Sequence, residues 1–183
     1  MSQVTQAAEE LEAFEPASEE KNRKLVIFAA SGDLERTWAS LILATSGAAM
    51  GMQTTIFYTF WGLFSLVKND KKKGRGRRFT GENWMQKMLS VLNHGGTEHL
   101  KLSRMNFAGM GPWMIGRLAK QYKDSTPSEL IEMAKDMGVR LIPCQMTMDL
   151  MGLTREDLID GLEEPAGATS ALLEAQDAIT LFI

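Results

Sequence analysis

The chain has 183 residues, a length that favours one domain and suffices to bury a core without covalent staples. Its single cysteine excludes an intrachain disulfide, a CxxC redox pair and a Cys-based zinc site, and two histidines are too few for a His-rich metal centre. The formal charge is −3, but residues 1–23 hold six acids against two bases, so the remainder is near neutral, which argues against a broad nucleic-acid-binding surface.

Residues 1–23 read as an acidic, mobile extension, because Pro16-Ala17-Ser18 interrupts any helix begun at Ala7–Phe14. Residues 24–183 then form a single domain. The N-terminus shows neither a basic n-region nor an apolar h-region, so no secretory signal is expected. A lone thiol fits a reducing cytoplasm.

Lys24–Ala30 is a short apolar run and reads as a buried strand. Ser31-Gly32-Asp33 can turn the chain and cap a helix that runs to about Met50, where Gly51 stops it. Gln53–Tyr58, β-branched and aromatic, is the next strand, so the three segments make a βαβ unit. The uncharged stretch Thr37–Val67 is thereby explained as a buried helix feeding a buried strand, and no membrane span is expected there. Phe60–Val67 reads as a short apolar helix. It leads into a basic run from Lys68 to Arg78, whose ordinary reading is a solvated, mobile loop.

Glu82–Leu92 is predicted helical and Asn93–Arg104 loop-like, with both histidines, His94 and His99, in it. The Gly/Met-rich Met105–Gly111 leads into a helix at Pro112–Tyr122. Thr126-Pro127-Ser128-Glu129 is a strong helix start, and Gly138 ends that helix. Val139–Pro143 is a strand with Cys144 just past its end. Thr154–Asp157 has the capping-box pattern for a short helix to Ile159, Gly167–Gln176 is another helix, and Ile179–Ile183 is a last strand. Alternating strands and helices predict an α/β fold, a Rossmann-like (flavodoxin-type) three-layer sandwich with a mostly parallel sheet and Cys144 at the end of a central strand. Neither GxxxxGK[ST] nor a GxGxxG after the first strand is present, so the usual nucleotide signatures are missing.

In such sheets chemistry sits beyond the carboxyl ends of the strands. Ser31-Gly32-Asp33, the segment around Trp61, and Cys144 all fall there. A helix beginning at Gln145 would favour a thiolate through its free N–H groups, whereas Met146, Met148 and Met151 would disfavour charge by desolvation; the residues leave both open. Free cysteine is also commonly a small buried hydrophobe, and methionine an adaptable core filler. Cys144-x-Met146-x-Met148 offers soft ligands to Cu(I), a minor alternative to a site without metal. No carboxylate cluster or Ser-His-Asp spacing marks a hydrolase.

Six segments make the chain recognisable: KLVIFAASGDLER (24–36), AAMGMQTTIFYTFWGL (48–63), LSRMNFAGMG (102–111), GVRLIPCQMTMDLMGL (138–153), DLIDG (157–161) and TLFI (180–183). On these it resembles the DsrE/DsrF-like sulfurtransferase superfamily, in particular the larger DsrE-like proteins found with prokaryotic sulfur-metabolism genes. The resemblance covers about residues 24–183; the acidic tail and the basic insert near 68–78 depart from it and bear on partner choice. It implies a sulfur-transfer protein, carrier or enzyme, holding sulfane sulfur as a persulfide or thiosulfonate on Cys144, without a cofactor. Ser31, Gly32, Asp33 and Trp61 would support that residue and Met146 and Met148 would shape its pocket. Partners would be a low-molecular-weight sulfane sulfur donor and a TusA-like or rhodanese-like sulfur-transfer protein, with neither nucleic acid nor membrane expected. The resemblance also implies homo-oligomers. The uncharged helix at 38–50, the Trp61 segment and the Met-rich loop supply apolar surface for a trimer or tetramer. The rival reading is a non-catalytic ligand-binding or structural oligomer that uses the same strand-end crevice.

Overall fold

The structure, a computed structural model, describes residues 23–70, 75–76, 81–92, 96–97 and 99–183. The expected mobile extension at 1–23 lies outside the described residues except for Arg23, as does most of the basic run.

Four parallel strands form the sheet, in the order β5-β2-β1-β6: β1 (Lys24–Ala29), β2 (Gln53–Tyr58), β5 (Arg140–Pro143) and β6 (Ala178–Phe182). Strands apolar on both faces suit an all-parallel sheet, which is covered by helices above and below. On one face α1 (Leu34–Ala49) packs beside α4 (Pro127–Asp136), and both sit over Ile27, Ile56, Tyr58 and Leu141. Among the buried residues of α1, Leu34, Thr37, Leu41 and Ala44 recur at three- and four-residue steps. Ser40 and Thr45 escape the cost of burial by donating to the carbonyls of Arg36 and Leu41, each at 2.9 Å. The α4 start is as expected: the Thr126 hydroxyl accepts from the Glu129 N–H and the Glu129 carboxylate accepts from the Thr126 N–H.

The opposite face is thinner. Here α6 (Ala168–Glu174) lays Ala171 on Phe57 and Ile142, while Phe182 at the end of β6 stays 77% exposed. The α/β class with its parallel sheet is borne out. One detail differs, since β5 is the outermost of the four strands and not a central one. Its open edge is nevertheless paired: Glu163 N–H donates to the Leu141 carbonyl and Ala166 N–H to that of Pro143, both at 3.0 Å.

Other details also depart from expectation. Phe60–Leu66 is a 3-10 helix, and within the basic run Asn69–Asp70 (β3) and Arg75–Gly76 (β4) pair antiparallel. Asp33 occupies the N-cap of α1 without a side-chain capping bond; its carboxylate accepts from the Ser31 hydroxyl at 3.0 Å instead. The remaining helices are α2 (Trp84–Leu92), α3 (Met110–Tyr122) and α5 (Gln145–Met151).

Tyr58 is buried in the main core, and its hydroxyl has no hydrogen-bond partner among the described residues. Burial pushes this phenol well above its usual range. The unfolded chain releases the proton near about pH 10 while the folded chain keeps it, so this group's stabilisation is complete below about pH 10 and is lost as pH rises further. Tyr58→Phe should therefore weaken the alkaline loss of stability in urea titrations. At neutral pH it should leave stability equal or raise it by up to about 1 kcal/mol, because an unpartnered buried hydroxyl is removed. A loss of more than about 1 kcal/mol at neutral pH would show that the hydroxyl is satisfied after all.

Candidate functional site

Cys144 follows the last residue of β5 and is the N-cap of α5. Its N–H donates to the Tyr58 carbonyl at 2.9 Å, which carries the β2–β5 pairing one residue beyond Pro143. Its carbonyl accepts from the Met148 N–H at 3.0 Å, the first bond of α5. The thiol makes no capping bond to the helix. It lies in a small apolar cluster with Phe57, Ile142 and Ala171, with Phe28 and Ala166 packed against it, and the residue is only 2% exposed. The cover has two parts: Ala166, bridged to Cys144 in parallel fashion, and α6. The Gln145 N–H is used by the Ala166 carbonyl at 3.0 Å.

Between Cys144 and the end of β1 lies the turn after β2. Thr147 on α5 is fully buried and ties that turn down. Its hydroxyl is 3.1 Å from the Thr59 hydroxyl and accepts from the Phe60 N–H at 3.1 Å. Phe60 has φ +45, a left-handed conformation that a bulky residue adopts only when its surroundings hold it. Nothing in the sequence singles out Thr147 beyond its being a polar residue among methionines three positions after the cysteine.

Ser31-Gly32-Asp33 lies two strands from Cys144, a separation of about 10 Å at ordinary strand spacing. What it touches is the β2 turn: a Cβ on Gly32 would fall 2.7 Å from the Trp61 carbonyl oxygen, so glycine permits the contact. Gly62 donates its N–H to the Ala30 carbonyl at 3.1 Å. Ser31 and Asp33 bond to one another, and Asp33 bridges to Lys101, whose carbonyl accepts from the Leu34 N–H at 2.9 Å. Partial burial pulls the Glu35 carboxyl upward, but hydrogen bonds from the Ser103 hydroxyl and N–H outweigh it and hold the group below its usual range. The segment Lys101–Ser103 is thus clipped to the start of α1, a link that residue patterns do not announce.

The three sulfurs of the Cys144-x-Met146-x-Met148 motif go separate ways. Met148 is 3% exposed in the main core, Met146 is 59% exposed, and Cys144 lies in the cluster beneath α6. Residues two apart on a helix face different directions, so this motif assembles no convergent set of soft ligands. Among the described residues no group of three His, Cys, Asp or Glu side chains could hold a metal. Trp61 is half exposed and stacks on Phe64 with ring centroids 5.8 Å apart. His99 is half-buried, and His94 lies outside the described residues.

Since Thr147 joins α5 to the β2 turn, Thr147→Val should cost about 1–3 kcal/mol in denaturant unfolding by stranding the Phe60 N–H, and Thr147→Ser should recover most of that loss. Equal stability of Thr147→Val and the natural chain would contradict the role given to this hydroxyl.

The model of the DsrE/DsrF/DrsH-like family matches residues 21–182. The chain is 38% identical over 168 residues to the uncharacterized protein YrkE of Bacillus subtilis, covering 90% of this chain and 99% of that one. It is 29% identical over 166 residues to the sulfur carrier protein DsrE2 of Allochromatium vinosum, covering 89% and 99%. Among solved structures, the E. coli ychN protein aligns over 88% of this chain and 99% of its own, with 13% identity and a TM-score of 0.49. A family match running from just before β1 to the end of β6, together with relatives aligned over nearly their whole length, places this chain in the DsrE/DsrF/DrsH-like family.

Proposed function

We propose that this protein is a sulfur carrier that holds sulfane sulfur on Cys144 and passes it to a partner carrier protein. The observation that carries the reading is the position of the chain's one cysteine. In a DsrE-like chain with a named sulfur carrier among its relatives, it stands at the carboxyl end of β5, at the junction with α5. The chemistry needs one thiol and no cofactor. The Cys144 thiolate attacks the outer sulfur of a donor persulfide, a new S–S bond forms, and the donor leaves as a thiolate. Transfer onward reverses the roles, with an acceptor thiolate attacking the outer sulfur and Cys144 leaving. No electrons are gained or lost overall.

Access is the condition on this chemistry. The thiol lies under Ala166 and Ala171, so loading requires α6 and its preceding segment to move aside. That cover is slight: α6 has seven residues, buries Ala171 alone and leaves Leu172 and Leu173 exposed. Segments with so few buried contacts open at low cost. Donors would be low-molecular-weight persulfides or polysulfides, and acceptors TusA-like or rhodanese-like proteins in the cytoplasm.

Intact-mass spectrometry after incubation with polysulfide should show gains of about 32 Da or its multiples, one per sulfur atom, that reducing agent removes. Cys144→Ser should show none. Uptake by Cys144→Ser would refute the reading. Failure of the natural chain to load would favour a structural thiol in a non-catalytic protein.

The carrier is proposed to act as a homotrimer or homotetramer. Ile42 and Leu43 on α1, Met50 at its C-cap, and Ile179 and Phe182 on β6 leave large apolar side chains in water. Light scattering at micromolar concentration should give three or four times the chain mass, and Ile42→Glu or Phe182→Glu should reduce it. A monomer mass for the natural chain would contradict the assembly.

A further inference from the structure

Residues 99–123 carry five Lys and Arg and no Asp or Glu, in a chain that is acidic overall. All five, Lys101, Arg104, Arg117, Lys120 and Lys123, are exposed. The same stretch exposes large apolar side chains: Met105, Phe107, Trp113, Met114, Leu118 and Tyr122 are each between 46% and 71% exposed. The usual amphipathic arrangement is inverted. The buried residues of α3 are the small ones, Gly111 and Ala119, while Met110, Met114, Leu118 and Tyr122 follow one another at four-residue steps along the outside. Trp113, Arg117 and Lys120 run alongside, with the Arg117 guanidinium 5.8 Å from the centre of the Trp113 ring.

We infer that α3 and the loop before it form a docking surface for an anionic lipid membrane, on which the helix lies in the plane of the interface. Cations mixed with Trp, Tyr, Phe and long aliphatic side chains match a layer of negative headgroups over hydrocarbon. Trp and Tyr favour that boundary. A second copy docked through the same face would set five cations against five, with only Glu35 and Asp124 at the border of each face to offset them, an unfavourable balance for an isologous contact. Single-stranded nucleic acid would use the aromatic rings and the bases but leave Met110, Met114 and Leu118 in water. The loop tip fits a surface that yields. Met105 and Phe107 have φ of +58 and +39, and Gly111 packs against the Met105 carbonyl, so the tip holds its bulky residues outward. Among the described residues no helix is long and apolar enough to cross a membrane, so the attachment is peripheral. The sequence predicts no membrane partner because Thr37–Val67 divides into a helix and a strand; a helix lying in the interface needs no such span.

Co-sedimentation of the full chain with vesicles tests this. Vesicles of equal phosphatidylcholine and phosphatidylglycerol should bind it, vesicles of phosphatidylcholine alone should not, and raised salt should weaken the binding. The triple variant Arg117→Glu, Lys120→Glu, Lys123→Glu should lose more than about tenfold in affinity. Leu118→Ser should also bind more weakly, with a thermal melt like the natural chain's since these positions are exposed. Cys144→Ser should bind as the natural chain does, which separates this surface from the sulfur chemistry. No binding to the mixed vesicles, equal binding to both kinds, or undiminished binding by the triple variant would overturn the inference. So would a fall in oligomer mass for Leu118→Ser in light scattering, which would give the face to a second copy.

Discussion

The bond from the Cys144 N–H to the Tyr58 carbonyl is the joint on which the site depends. In a parallel ladder alternate residues turn their backbone groups to opposite neighbours: Cys144 gives its N–H to β2, whereas Pro143, which has no N–H to give, faces the outer edge, where its carbonyl accepts from Ala166. The Cys144 bond is the last of the β2–β5 ladder, and it fixes where the strand ends and α5 begins. The Cys144 carbonyl starts the helix, the helix presents Thr147 to the β2 turn, and the β2 turn rests on Gly32 at the end of β1. A chain of short polar contacts thus runs across three strand ends.

The same geometry decides which way the thiol faces. Side chains alternate along a strand, so Cys144 shares a side with Ile142 and not with Leu141. Leu141 belongs to the thick face under α1 and α4, whereas Ile142 and Cys144 belong to the thin face under α6. A thiol on the thick face could be reached only by unfolding the domain. On the thin face it is covered by one short helix and a strand-like segment held by few bonds. Protection of a bound sulfur from water and occasional access by a partner are compatible there, because the cover's stability is separate from that of the core.

Much of this was legible in the residues. KLVIFA and TTIFY, β-branched and aromatic, mark strands whichever way they pair, and Thr126-Pro127-x-Glu129 fixes a helix start through bonds three residues apart. The position of Cys144 at a strand end followed from Gly138 stopping one helix and Pro143 limiting the strand. What escaped depended on long-range pairing. No local pattern shows that Glu163–Ala166 lies along the outer edge of β5, that Ala171 covers the thiol, or that Glu35 holds Ser103. Met146 and Met148 invited a common role because they are close in sequence, yet helical spacing sends one to solvent and the other into the core. The outward-facing α3 was hidden for a similar reason: its periodicity shows an apolar stripe but not that Gly111 and Ala119 are the residues turned inward.

The central claim is that Cys144 becomes reachable by local opening of its cover. The most direct measurement is the rate of Cys144 alkylation by iodoacetamide in native buffer and in sub-denaturing urea. Local opening exposes little surface, so the account predicts slow labelling whose rate barely changes with urea until the unfolding transition. A rate that rises with urea along the slope of global unfolding, with no labelling of the native protein below it, would make Cys144 a structural thiol and contradict the account.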